Sequence, residues 1–201
     1  CDPALVDEMV VAGELPHLAE MLRTGVAAPL EHERGVYVGS IWPTMMTGQG
    51  VARHGRFAGV HFAPGTYDQV EDPVLVEPFW DALDRAGLRT TVLDVPFFPV
   101  AESERTTMLV EWGCHDRYYG TSSWPPELVD RVDEVAGRHL IGTHDMGELT
   151  RFSPCDYVAR SGEMRTRREN ARLVELIADD IDRKTVASTW MLGHADVDLF
   201  M

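Results

Sequence analysis

The sequence is short of positive charge. Lys and Arg number 18 against 33 Asp and Glu, a formal net charge of −15 at pH 7. A protein that grips a phosphate backbone needs a positive surface, so the balance argues against a nucleic acid polymer as partner. It leaves room for a small anionic ester held with the help of cations. No apolar run approaches the roughly 20 residues of a membrane span, and no signal-peptide pattern is visible, so no membrane partner is expected and a cytoplasmic setting is. Cysteine is scarce. Cys1, Cys114 and Cys155 are odd in number and far apart, which fits reduced thiols and excludes a disulfide frame or a CxxC metal site. Neither G-x-G-x-x-G nor G-x-x-x-x-G-K-[ST] occurs, so the common nucleotide-binding loops have no support. Internal repeats and low-complexity tracts are also missing.

What is present is an ordinary globular composition. The 201 residues are 44% hydrophobic and 25% charged, enough for one sizeable core. The expectation is a single α/β domain over 1–201, with 113–160 as a loop-rich insertion. The chain starts at Cys1 rather than Met and stops inside the apolar run Val197 to Met201, so it reads as part of a longer protein, incomplete at both ends.

Pro3 to Ala12 carries apolar residues at helical spacing, with Asp2 as N-cap and Pro3 at the first helical position. A second helix is expected over Leu15 to Thr24, followed by a strand over Val26 to Glu31. Gly55 to Asp72 is punctuated by Gly59, Pro64 and Gly65 and reads as loop. Beyond it, Phe79–Arg85 reads as helix, and Arg89–Val95 and Thr107–Trp112 as strands rich in β-branched and apolar residues. Pro125–Ala136 and Glu163–Leu192 read as helices, the latter with Val174, Ala178, Ile181, Thr185, Ser188 and Leu192 on one face. Val197 to Met201 is a last strand. The recurring order helix, glycine, short strand argues for a parallel sheet with helices on both faces.

The chemistry concentrates in Gly35 to Gly55. Val36–Val38 reads as a short strand that turns at Gly39. Ser40 is a favoured N-cap residue, and Trp42 to Thr47 form the first turns of a helix that tolerates Pro43 near its start. A hydroxyl at such a junction lies near unpaired amides and the positive end of the helix dipole. That setting suits an anion, or a nucleophile that attacks one. Asp94 lies near the end of the predicted strand Arg89–Val95, and His115 and Asp116 follow Thr107–Trp112. Ligands bind beyond the carboxyl ends of strands in an open sheet, so all three are candidate substrate-binding residues.

The string S-x-W-P-T-x-x-T-G over Ser40–Gly48, then R-H-G at Arg53–Gly55, resembles the nucleophile segment of the type I phosphodiesterase/nucleotide pyrophosphatase family, within the alkaline phosphatase superfamily. Members often read S/T-P-x-x-W-x-S/T-F-x-T-G, then N-P-x-x-H-G. Trp42, Thr44, Thr47, Gly48, His54 and Gly55 match. Earlier, Asp2-Pro3, Gly13 to Leu18, Leu22 and Gly25 resemble the family's D-P, G-x-L-P-x-L and L-x-x-G.

The resemblance implies a three-layer α/β/α sandwich with a mostly parallel sheet, alkaline phosphatase-like and partial. It implies a metal-dependent hydrolase of phosphodiester or nucleotide pyrophosphate esters, or of related phosphonates or sulfates, acting through a Ser or Thr nucleophile on a small anionic substrate. Two divalent metal ions, commonly zinc, go with that chemistry. Their ligands would fall before Cys1 and after Met201, so none is assigned within the chain. Counted back without gaps from Thr47-Gly48, the family nucleophile falls on Val38, which has no hydroxyl. Ser40 is then the candidate nucleophile and Thr44 the alternative. A catalytically silent relative that binds an anion or a partner is the competing expectation.

Overall fold

The computed structural model describes residues 2–29, 35–36, 38–57, 60–62, 64–66, 69–71, 74–113, 120–139 and 166–201. The chain divides into two compact units, Cys1–Gly35 and Val36–Met201.

The first unit holds α1 (Pro3–Val11) and α2 (Pro16–Thr24). Asp2 caps α1 as its sequence suggests, its carboxylate accepting the Ala4 N–H at 2.9 Å. Neither helix buries a residue completely. The strand expected over Val26 to Glu31 is not formed by its described part, since residues 26–29 have no regular structure.

The second unit is built on a four-stranded sheet. Its order is β5 (Ser122–Trp124), β4 (Thr106–Val110), β3 (Thr90–Leu93), β6 (Leu199–Phe200). β3 pairs in parallel with both β4 and β6, and β5 is an antiparallel edge. Met108, Leu109 and Val110 are all fully buried, which a strand achieves only when both faces of its sheet are covered. Their side chains alternate. Met108 and Val110 join Val92, Met46 of α3 (Ile41–Thr47) and Trp80 of α5 (Phe79–Arg85) on one side. Leu109 joins Leu128 and Val132 of α6 (Leu128–Ala136) and Ala187 and Met191 of α7 (Arg167–His194) on the other. Each fully buried Val, Leu or Met among them contributes about 1.5–3 kcal/mol relative to exposure. The result is the expected three-layer α/β/α arrangement with a mostly parallel sheet.

Some expectations need correction. The segment over Gly55 to Asp72 contains an antiparallel pair, β1 (Val60–Phe62) with β2 (Gln69–Glu71). Helix α7 does not bury the face assigned to it: Val174, Ile181 and Leu192 are 66%, 60% and 55% exposed. It turns Leu176, Asp180, Ala187 and Met191 inward instead. Among the described residues, no helix is long and apolar enough to cross a membrane.

Candidate functional site

The segment before α3 is not a strand. Val38–Ser40 is a 3-10 turn that runs directly into the helix, and Tyr37 lies outside the described residues. The physical reason is visible at Ser40, whose backbone is already right-handed helical (φ −71°, ψ −12°). A residue in that conformation is not set up as an N-cap, and the Ser40 side chain makes no capping bond. Ser40 is 1% exposed.

One turn later, Thr44 is tightly held. Its hydroxyl donates to the Ser40 carbonyl at 2.9 Å and lies 3.0 Å from Nε2 of His54. His54 ends α4 (Val51–His54) and is fully buried. Its Nδ1 accepts the Arg56 N–H at 3.2 Å. An imidazole nitrogen that accepts a backbone N–H carries no proton, so the ring proton sits on Nε2 and points at Thr44. The His54 backbone is fixed too, its N–H to Gly50 and its carbonyl to the Leu75 N–H at 2.8 Å. Thr47 bonds the Pro43 carbonyl at 2.7 Å, and Gly48 closes α3 in the left-handed region.

Gly55 explains the second half of the H-G pair. Its φ is +81°, a conformation L side chains rarely adopt, and a Cβ there would meet Leu75 Cδ1 at 2.7 Å. The linear pattern T-x-x-T-G followed by H-G therefore encodes the scaffold around Ser40.

A second polar cluster lies at the carboxyl ends of β3 and β4. Asp94 follows β3 at φ +61°, and Glu111 follows β4 at φ +53°, with Phe97 at +72° between them. Such positions cost an L residue about 1–2 kcal/mol each and persist only where contacts enforce them. Asp94 accepts the Gly113 N–H at 3.0 and 3.1 Å on its two oxygens, and Lys184 Nζ at 2.5 Å. The Arg56 guanidinium stacks 4.1 Å from the centre of the Phe97 ring. Glu111 accepts the Gly120 N–H at 2.7 Å, and Thr121 donates to its carbonyl.

Beside Asp94, His139 is buried with its ring edge-on to Trp112 at 5.1 Å. Its Nδ1 lies 3.7 Å from Asp180, too far for a hydrogen bond, and has no hydrogen-bond partner among the described residues. Burial pushes the His139 imidazole below its ordinary value. Asp180 and Asp94 pull the other way, while Lys184 and Arg183 act with burial.

The sequence-derived residues thus separate. Ser40 and Thr44 sit together with His54. Asp94 is engaged by Lys184 and Gly113 at the sheet end, while His115 and Asp116 lie outside the described residues. Sequence reasoning missed Lys184, although it is the only lysine in the chain. Among the described residues, no group of three or more His, Cys, Asp or Glu is placed to hold a metal ion. The two cations implied by the resemblance therefore have no cradle there.

A sheet covered on both faces, with a hydroxyl-bearing turn entering a helix, defines an α/β protein of the alkaline phosphatase-like kind. The family model for type I phosphodiesterase/nucleotide pyrophosphatase matches residues 1–192, and the chain belongs to that family. No curated protein and no solved structure matches it.

Proposed function

We propose that the protein hydrolyses small anionic phosphodiesters or nucleotide pyrophosphates, with phosphonate and sulfate esters in the same chemical class, and that Ser40 is its nucleophile. The observation that carries this reading is the family match over residues 1–192. Ser40 Oγ would attack phosphorus in line with the leaving alkoxide. Its proton passes to solvent, the bond to the leaving oxygen breaks, and water then hydrolyses the ester left on Ser40. Divalent cations, zinc being the expected ones, would offset the substrate's charge when bound, and their ligands are not assigned to any described residue. Thr44 fits the role less well. Its proton is committed to the Ser40 carbonyl, and the neighbouring His54 nitrogen is a donor rather than a base. With Ser40 only 1% exposed, the groups that cover it must part when substrate binds. The widely spaced cysteines support a reducing, cytoplasmic setting.

The test is hydrolysis of an aryl phosphodiester by the full-length protein with added zinc or manganese. Ser40→Ala should fall to background. Full activity in Ser40→Ala removes the assignment. A second reading, a silent relative that binds an anion or a partner, is favoured by the same burial of Ser40 and by Val38 at the ungapped nucleophile position. It requires saturable phosphate binding with no turnover under either metal.

A further inference from the structure

We infer that His54 is a positioning residue for Ser40 and acts on it through Thr44. The inference rests on the assignment of Ser40 as nucleophile and adds the device that holds it. A directed series of hydrogen bonds runs from the Arg56 N–H to His54 Nδ1 at 3.2 Å, from His54 Nε2–H to Thr44 Oγ at 3.0 Å, and from the Thr44 hydroxyl to the Ser40 carbonyl at 2.9 Å. Each donor has one acceptor in that sequence, and each bond fixes the direction of the next. The Arg56 amide sets the tautomer of His54. The tautomer makes Nε2 a donor, so Thr44 Oγ must accept with a lone pair and spend its own proton on Ser40.

The geometry makes this more than a local clasp. His54 is fully buried and anchored at its N–H, its carbonyl and its Nδ1, so Nε2 is a fixed point. The Ser40 carbonyl belongs to the last residue of the 3-10 turn, where the backbone changes from one helical form to the other. The Thr44 hydroxyl supplies a restraint from the next turn, and with it the aim of the Ser40 Cα–Cβ bond. A shift of about 1 Å in a reacting group costs on the order of 100-fold in rate, so a restraint of this kind has kinetic weight.

The experiment uses the full-length protein with its metal and an aryl phosphodiester. Thr44→Val keeps the shape and removes the hydroxyl; it should lower kcat by about 10-fold or more with KM within about twofold. Thr44→Ser restores the hydroxyl and should return most of kcat. His54→Gln, whose amide offers a donor, should fall between them. In the wild type, nitrogen NMR of the His54 ring should show the proton on Nε2. A proton on Nδ1, or wild-type kcat in Thr44→Val with lowered thermal stability, overturns the positioning role and leaves the nucleophile assignment standing. Full activity in Ser40→Ala overturns the nucleophile assignment and the positioning role with it, while the NMR signature of the hydrogen-bonded series remains.

Discussion

Lys184, the only lysine in the chain, reaches across from α7 and donates to Asp94 Oδ2 at 2.5 Å, just beyond the end of β3. The Asp94 side chain is 1% exposed and that of Lys184 is 42% exposed. The pair therefore couples a buried carboxylate to a cation that water still reaches.

The asymmetry sets what each substitution does. Lys184→Met strands a buried carboxylate, and stranding one partner of a fully buried pair costs about 3–5 kcal/mol. The exposed lysine head makes the loss smaller here, about 2 kcal/mol. Asp94→Asn with Lys184→Met removes both charges and keeps a side chain that tolerates the left-handed backbone, so it should recover most of that loss. Urea titrations of the two variants check this. Equal midpoints would show that the loss in Lys184→Met does not come from a stranded carboxylate.

His139 should make stability depend on pH. Its folded-state affinity for a proton is lowered, mainly by burial, against opposing pulls from Asp180 and Asp94. The unfolded chain, with an ordinary histidine value near about 6.5, takes up the proton first. The contribution is therefore complete above that pH and drains away as pH falls below it, towards the lower folded-state value. The slope for one proton is at most about 1.4 kcal/mol per pH unit. His139→Gln should flatten this part of the profile below about pH 6.5 when followed by urea titration. An unchanged profile would assign the pH dependence to other groups.

Gly113 explains why the His139 ring lies where it does. A Cβ at this position would stand 2.8 Å from Cδ2 and 2.9 Å from Nε2 of His139, and 3.1 Å from Asp94 Oδ2. Neither neighbour can swing into solvent, because both are buried. Gly113→Ala should therefore cost more than about 2 kcal/mol, as overpacking of a rigid site does. It should also weaken the bond from the Gly113 N–H to Asp94. Thermal unfolding measures the loss. A loss below about 0.5 kcal/mol would mean that the His139 ring is free to move aside.

The alternation of helix, glycine and strand was readable because β3 and β4 are apolar and β-branched, are bounded by Gly and Pro, and lie in the core. The β1–β2 pair was not, because three-residue strands leave too little pattern between Gly59, Pro64 and Gly65. Helix α7 carries two stripes. Periodicity finds the apolar one with Val174, Ile181 and Leu192, but the covered one contains Asp180 and Ala187. Which stripe is covered depends on α6 and the sheet, and no local pattern reports that. The same distinction divides the candidate site. Thr44, Thr47, Gly48, His54 and Gly55 form a linear string whose order follows from two short helices and the left-handed glycine that ends each. The Lys184 partner of Asp94 is 90 residues away, so only the fold brings them together.

Gly48 and Gly55 offer a way to separate backbone strain from crowding in the scaffold around Ser40. Both are left-handed, with φ of +63° and +81°. A Cβ at Gly48 meets nothing within 4 Å, whereas one at Gly55 meets Leu75 Cδ1 at 2.7 Å and Cγ at 3.0 Å. Gly48→Ala should therefore show the conformational cost alone, about 1–2 kcal/mol. Gly55→Ala should show that cost plus the displacement of Leu75. Leu75 is 69% exposed and its end is free to yield, so the excess should stay below about 1 kcal/mol. Truncating it in Gly55→Ala with Leu75→Ala should bring the loss back to that of Gly48→Ala, because the Leu75 N–H that holds the His54 carbonyl is kept. Thermal unfolding of the three variants resolves these shares. If the double variant is no more stable than Gly55→Ala alone, contact with Leu75 is not what the glycine avoids, and the left-handed backbone accounts for the whole cost at this position.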